Sequence, residues 1–403
     1  MEVLGIRGYP GKQFKKRRKK MKKIIATAAG LMLTGAMVST AVADIEFGGD
    51  SRVRYYYLAN YANLMDSDDT HAHSRVRLKM KGTTESGAYA KARLKWNVDP
   101  MGGDSAGLKF DYAYLGVPMG DFEFQGGHIP THVTTMVEDD VDRESFIVSY
   151  SDEVNNFSFI YEFAEDDDSP DNEDGYNYIA RYEMDNDGVN FVTGVIFSDP
   201  AEGDSGVTVA AAFAHDLGGV SYSIDYAFVD DAITGTGNNG HMGYATVSVP
   251  TGAAGSVSFI AGMTKDGAMM DAPVGFTMIG GDTAVTPGAT ANVGAIQEIV
   301  IGQEQDEEGN LVDVVGAIPV DTWFAGISAS YEVSEKSSIG MTAAYADMEE
   351  VDGNADFSAW EVGFNYTYAI AEDVETFVQL GYMDIDEAED SQFGFAWGLD
   401  VSF

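Results

Sequence analysis

Between Ser74 and Val98 two short segments flank the turn-like Glu85-Ser86-Gly87, and each alternates strictly between cationic and apolar residues. Arg75, Arg77, Lys79 and Lys81 alternate with Val76, Leu78 and Met80. Lys91, Arg93 and Lys95 alternate with Ala92, Leu94 and Trp96, and upstream Arg52 and Arg54 repeat the pattern. A period of two puts the cations on one face of a β-ribbon and the apolar residues on the other. Like charges stacked this way cannot face a packed core, because burying several unpaired charges costs too much. One face must meet water while the other meets something apolar. A closed sheet with lipid outside and water inside satisfies both demands.

The rest of the chain is compatible with that reading and narrows it. No apolar run in the body reaches the ~20 residues of a spanning helix, so a membrane protein of this sequence must be a barrel. The 403 residues contain no cysteine, which excludes a disulfide framework and Cys-based metal sites. With 24 basic and 65 acidic residues the formal charge is −41, which makes nucleic acid a poor partner.

Lys22-Lys23, the apolar run Ile24 to Val38 and the small residues Ala41-Val42-Ala43 form a signal-peptide pattern. Residues 1–43 are therefore expected to be a signal peptide cleaved after Ala43, with residues 44–403 forming the barrel domain. Met21 is the natural start, and residues 1–20 read as an extended basic segment or a misassigned start. Residues 1–43 hold ten basic residues and one acidic residue, leaving 14 against 64 and a net charge of −50 in the mature chain.

From Asp44 onward the sequence reads as an all-β, antiparallel transmembrane barrel of about eighteen strands, within a range of 16–20. The first strand is placed at about Ile45 to Tyr57 and the last at Gln392 to Phe403. Even-to-odd connections are tight, as in Pro118-Met119-Gly120, Asp216-Leu217-Gly218-Gly219 and Ser334-Glu335-Lys336-Ser337. Odd-to-even connections are long and polar, as in Ala59 to His73 and Asp230 to His241. A soluble sandwich has no reason to sort connection length by parity, whereas an outer-membrane barrel has short periplasmic turns and long outer loops. The connection from Lys265 to Asp321 is long enough for an extra hairpin, which would raise the count to twenty.

The last strand carries the most specific local signal. Phe393, Phe395, Trp397, Leu399, Val401 and Phe403 alternate with small or polar residues. This resembles the closing strand of Gram-negative outer-membrane porins, the general or trimeric porin superfamily. Tyr112-Ala113-Tyr114-Leu115-Gly116-Val117, followed by Gly120 to Gly127, is similar to the porin strand pair that precedes an inward-folded third loop. That resemblance implies a homotrimeric channel for passive diffusion of ions and small hydrophilic solutes. It places Arg52, Arg54, Arg75, Arg77, Lys79, Lys81, Lys91, Arg93 and Lys95 on the pore wall. It places Glu138, Asp139, Asp140 and Asp142 on a constriction loop between His128 and Glu144. It makes Phe403 the signal read by the barrel-assembly machinery, with outer-membrane lipid and lipopolysaccharide as the surroundings.

The competing reading of the ladder is that its cations merely solvate a wide lumen or pair with lumen carboxylates such as Asp50 and Asp111. Lining charges set ion selectivity. The ladder argues for anions and the total charge for cations, so the expectation is cation preference with an anion-attracting patch at the constriction. A substrate-specific channel, a sheath for a partner protein and a surface-interaction barrel are the alternatives.

No catalytic site is expected. The histidines at 71, 73, 128, 132, 215 and 241 accompany no nucleophile motif, and no phosphate-cradling or dinucleotide glycine pattern is present. His128 and His132 would share a metal only if their segment were helical. No cofactor is expected beyond Ca²⁺ or Mg²⁺ held loosely by acidic loops such as Glu165 to Asp174 and Gln303 to Asn310, which lack EF-hand spacing.

Overall fold

The computed structural model describes residues 42–59, 69–98, 107–137, 139–164, 175–200, 204–234, 237–266, 268, 297–305, 311–318, 320–350, 356–386 and 391–403. Among the described residues twenty strands run in chain order: β1 Val42–Ala59, β2 Asp69–Thr84, β3 Tyr89–Val98, β4 Gly107–Met119, β5 Phe122–His132, β6 Asp139–Ser151 and β7 Asn155–Ala164. They continue as β8 Gly175–Asn186, β9 Val189–Asp199, β10 Gly206–Leu217, β11 Val220–Val229, β12 Gly240–Pro250 and β13 Gly255–Lys265. The last are β14 Gln297–Gln305, β15 Leu311–Ile318, β16 Val320–Ser334, β17 Ser337–Glu350, β18 Asp356–Ala371, β19 Val374–Ile385 and β20 Gln392–Ser402. One helical turn, Asp231–Thr234, sits between β11 and β12.

Eighteen strands form one antiparallel sheet closed by pairing of β1 with β20, while β14 and β15 form a separate two-stranded sheet. The long connection therefore does hold a hairpin, yet the barrel count stays at eighteen. The parity of the connections holds throughout. Those after even-numbered barrel strands span two to four residues, and those after odd-numbered ones span five or more. The first strands extend beyond their expected bounds: β1 begins at Val42 and β2 at Asp69, and their register continues to Leu58↔Asp69. Each added register pair extends the ladder and gives further backbone groups partners within the sheet.

Alternation along each strand decides inside from outside. On β11, Ile224 and Tyr226 are 52% and 46% exposed on the outer face, while Asp225 between them is 2% exposed on the lumen face. Aromatic rings gather on the outer face at both rims. Near the short turns, Phe122–Tyr150, Tyr150–Phe157 and Phe157–Tyr182 approach to 5.3, 6.4 and 4.6 Å between centroids. Near the long loops, Tyr161–Tyr176, Trp323–Tyr345 and Trp360–Tyr382 lie at 5.6, 5.2 and 5.2 Å. Amphipathic rings of this kind sit at membrane–water interfaces. Two histidines belong to these girdles, with His215 Nδ1 3.0 Å from the Tyr222 hydroxyl and His241 Nδ1 2.7 Å from that of Tyr226.

Candidate functional site: a basic wall facing an inward hairpin

The ladder forms as the alternation requires. Arg52 stands opposite Arg75 across β1 and β2. Across β2 and β3, Arg77 stands opposite Lys95, Lys79 opposite Arg93, and Lys81 opposite Lys91. Cations directly opposed on one face repel, and the wall supplies carboxylates that offset part of that repulsion. Asp50 accepts from Arg77 Nε at 2.9 Å and lies 3.6 Å from Arg75 Nη2. Asp400 accepts from Arg54 Nη2 at 2.8 Å, and Glu46 lies 3.5 Å from Lys81 Nζ. Asp111 binds Arg93 and lies 3.4 Å from Lys95 Nζ.

Asp111 reaches the cations through a local irregularity. The register passes from Arg93↔Tyr112 to Leu94↔Phe110, leaving Asp111 as an extra residue in β4. A bulge of this kind redirects one side chain, and Asp111 is buried beside Arg93, whose guanidinium lies 4.7 Å from the Tyr112 ring centre. Pairing with Asp50 and Asp111 was the competing account of the ladder, and both pairs are present.

The segment between β5 and β6 departs from the expected loop. β5 pairs with β4 only as far as Ala113↔His128, and β7 pairs with β6 only from Glu144↔Phe163 onward. From Ile129↔Arg143 to His132↔Asp139 the two strands pair with each other alone. Residues 129–143 are thus a hairpin that leaves the wall on both sides and satisfies its own backbone by pairing, which a bare loop in the same place could not do. Gly127 marks the departure at φ 138°, and a Cβ there would lie 2.5 Å from the Ala113 carbonyl oxygen and 2.8 Å from Tyr114 Cα. Only glycine fits that turn.

The hairpin tip crosses the lumen and docks on the far wall. Thr135 Oγ1 donates to Asp225 Oδ2 on β11 at 2.7 Å and lies 2.7 Å from the Tyr244 hydroxyl on β12. Arg181 Nε on β8 donates to the Val133 carbonyl at 3.3 Å. Val133 is fully buried and Met136 is 1% exposed, in one apolar cluster with Ile160, Ile179, Ile196 and Met242 from the lumen faces of β7, β8, β9 and β12. Val133 rests against Gly194, where a Cβ would stand 2.5 Å from Val133 Cγ1. The base is clamped too, since Arg143 Nη1 donates to the fully buried Glu162 of β7 at 3.0 Å.

In a ring of eighteen strands β11 lies nine positions from β2, so the tip docks half a circumference away from the ladder. Among the expected acidic residues, Asp139, Asp140 and Asp142 lie on β6 rather than in a loop, because the hairpin pairs through them. Their side chains, and Glu138 as a whole, lie outside the described residues, as does the acidic stretch 165–174. Gln303 to Gln305 are part of β14, with 306–310 outside the described residues. His128 and His132 are on β5, where four residues of strand separate their Cα atoms by roughly 13 Å, so the helical spacing on which a shared metal depended is not formed. Among the described residues no group of three or more His, Asp or Glu is arranged to hold a metal ion.

The sequence reading did not include Thr135, Met136, Asp225 or the apolar seat beneath them. Their signal is an anomaly of alternation: Ile160, Ile179 and Ile196 are apolar on the side that should meet water, which requires something to cover them.

Comparisons with known proteins agree with the barrel architecture. No curated protein matches the chain. Among solved structures the barrel is similar to OccAB1 of Acinetobacter baumannii, at a TM-score of 0.59 and 10% identity over 91% of this chain and 98% of that one. It is similar to OccK8 (OprE) of Pseudomonas aeruginosa, at 0.58 and 11% over 91% and 99%, and to OccK3 (OpdO) of the same organism, at 0.57 and 13% over 89% and 96%. Identities this low establish the shared barrel fold alone. The family described as Gram-negative porin matches residues 26–388, which span nearly the whole described barrel. The chain belongs to the Gram-negative porin family, the channels of the outer membrane.

Proposed function

We propose that this porin lets ions and small hydrophilic solutes diffuse passively through the passage between the basic wall and the docked hairpin. The observation that carries the proposal is the opposition of the two features. A cationic wall on β1–β3 lies half a circumference from the place where the β5–β6 hairpin is seated. Among the described residues Asp50, Asp400, Glu46 and Asp111 pair with cations of that wall, while Lys79 and Lys91 carry no carboxylate partner, and lining charge of this sign draws anions. The acidic remainder of the chain enriches cations at the mouths, an effect that salt screens over about 8–10 Å. The porin resemblance supports a homotrimer whose assembly uses Phe403 as its signal.

The reading assigns transport rather than catalysis to the protein, and it is tested by swelling of liposomes carrying the refolded chain. Small sugars and small organic ions should enter at rates that fall with size and do not saturate with concentration. Saturable entry of one solute would point to a dedicated substrate channel. Absence of entry from folded protein would point to a barrel that serves surface interaction.

A further inference from the structure

On the lipid side of β7–β9 large outward side chains surround one depression. Ala180 on β8 stands opposite Phe159 on β7 and Val195 on β9. Along its own strand Tyr178 and Tyr182 are the next residues on the same face. Four large side chains around a methyl group leave a notch, and Thr193, opposite Tyr182, carries it onto β9. The result is an apolar groove of about 400 Å³, bounded toward the short turns by the girdle rings of Tyr150, Phe157 and Tyr182. Phe159 and Val195 are both exposed and form its side walls. The hydroxyls beside the notch are already engaged. Thr193 Oγ1 donates to the Ala210 carbonyl at 2.9 Å, and the Tyr182 hydroxyl donates to Asn155 Oδ1 at 2.8 Å.

The turns that adjoin the groove carry one sign of charge. Asp121 lies between β4 and β5, Asp152 and Glu153 join β6 to β7, and Asp185 and Asp187 lie at the turn from β8 to β9. None of the three turns contains a lysine or arginine. Asp152 Oδ1 accepts from the backbone N–H groups of Val154 and Asn155 at 2.9 and 2.8 Å, which holds its carboxyl below the usual carboxylate range and keeps it ionised.

We propose that this groove binds one acyl chain of an aminophospholipid of the periplasmic leaflet, with the ammonium headgroup facing the acidic turns. A single acyl chain is narrow enough to reach the floor at Ala180, whereas the convex wall of a second barrel meets the rims first. Short turns face the periplasm, which places the headgroup in that leaflet. The turn carboxylates attract an ammonium and repel a headgroup of net negative charge. The site is on the outer face, so its test is independent of conductance.

Folded protein in detergent micelles is titrated with phosphatidylethanolamine and separately with phosphatidylglycerol, both dioleoyl, and retained lipid is counted by native mass spectrometry. The wild type should retain one phosphatidylethanolamine at concentrations where phosphatidylglycerol is not retained. Ala180→Leu, which fills the notch, should raise the half-saturating concentration about tenfold, the apolar contact of roughly two methylene groups. Phe159→Ala, which removes one wall, should shift it in the same direction. Asp152→Asn/Glu153→Gln should narrow the difference between the two lipids. Ala180 and Phe159 face lipid and take no part in the hairpin seat, and a heat-modifiable band shows which variants are folded. Equal retention by the wild type and a folded groove variant, or no retained lipid in the wild type, overturns the site. Equal retention of the two lipids by the wild type overturns the assignment to an aminophospholipid.

Discussion

Met136→Asp should leave a barrel that still folds but conducts with a fluctuating current in place of a steady one. Met136 is 1% exposed at the hairpin tip, against the apolar lumen faces of β7 to β12. Burying side chains such as Met136 and Val133 stabilises the docked tip by about 1.5–3 kcal/mol each. A carboxylate in the same place costs several kcal/mol unless a cation meets it. The chain has two ways to relieve that cost, unfolding the barrel or lifting the hairpin. Lifting is cheaper, because residues 129–143 pair with one another and with neither β4 nor β7. It breaks the Thr135 contacts to Asp225 and Tyr244 and the Arg181 bond to Val133, and no barrel ladder. Single-channel recording of the variant, beside its electrophoretic band before and after heating, checks this. A quiet current identical to wild type would show that the apolar seat does not hold the tip.

Truncation of residues 399–403 should have the larger effect on assembly and abolish the folded barrel. The seam between β1 and β20 has ten register pairs, and four of them, from Asp50↔Ser402 to Val53↔Leu399, lie in the deleted stretch. The deletion also removes the mutual backbone bonds of Gly49 and Phe403, at 2.7 and 3.0 Å, and the Asp400–Arg54 ion pair. Backbone groups opened to lipid find no water, and each unsatisfied one costs several kcal/mol. Loss of the heat-modifiable band in a refolding assay is the expected result. Refolding at wild-type yield would mean that closure does not depend on this end of the seam.

The barrel was legible in the sequence because its two determinants are local. Period-two alternation and the sorting of turn lengths are written into consecutive residues, and a shift of one position would turn every ladder cation toward lipid. The ladder was legible for the same reason. The hairpin was less so, because its docking depends on residues far apart in the chain, with Thr135 meeting Asp225 and Tyr244. The segment from His128 to Glu144 read as a loop because it falls where the porin resemblance places a constriction loop. Pairing between the two arms makes it a hairpin instead, since backbone inside the lumen gains by satisfying itself. Asp111 read as a lumen carboxylate because Lys109 and Asp111 alternate with Leu108 and Phe110, but the bulge itself left no local signal, and only the register reveals it.

The central claim is that the basic wall lines the conducting path, and the reversal potential under a KCl gradient tests it most directly. Arg77 and Lys95 stand opposite each other in the ladder, and glutamine at both positions removes two charges while retaining hydrogen-bonding side chains beside Asp50 and Asp111. Measured beside wild type in planar bilayers, Arg77→Gln/Lys95→Gln should conduct with its reversal potential moved toward cation preference. A folded variant with the same reversal potential as wild type would contradict the account, because ions would then be crossing away from the wall.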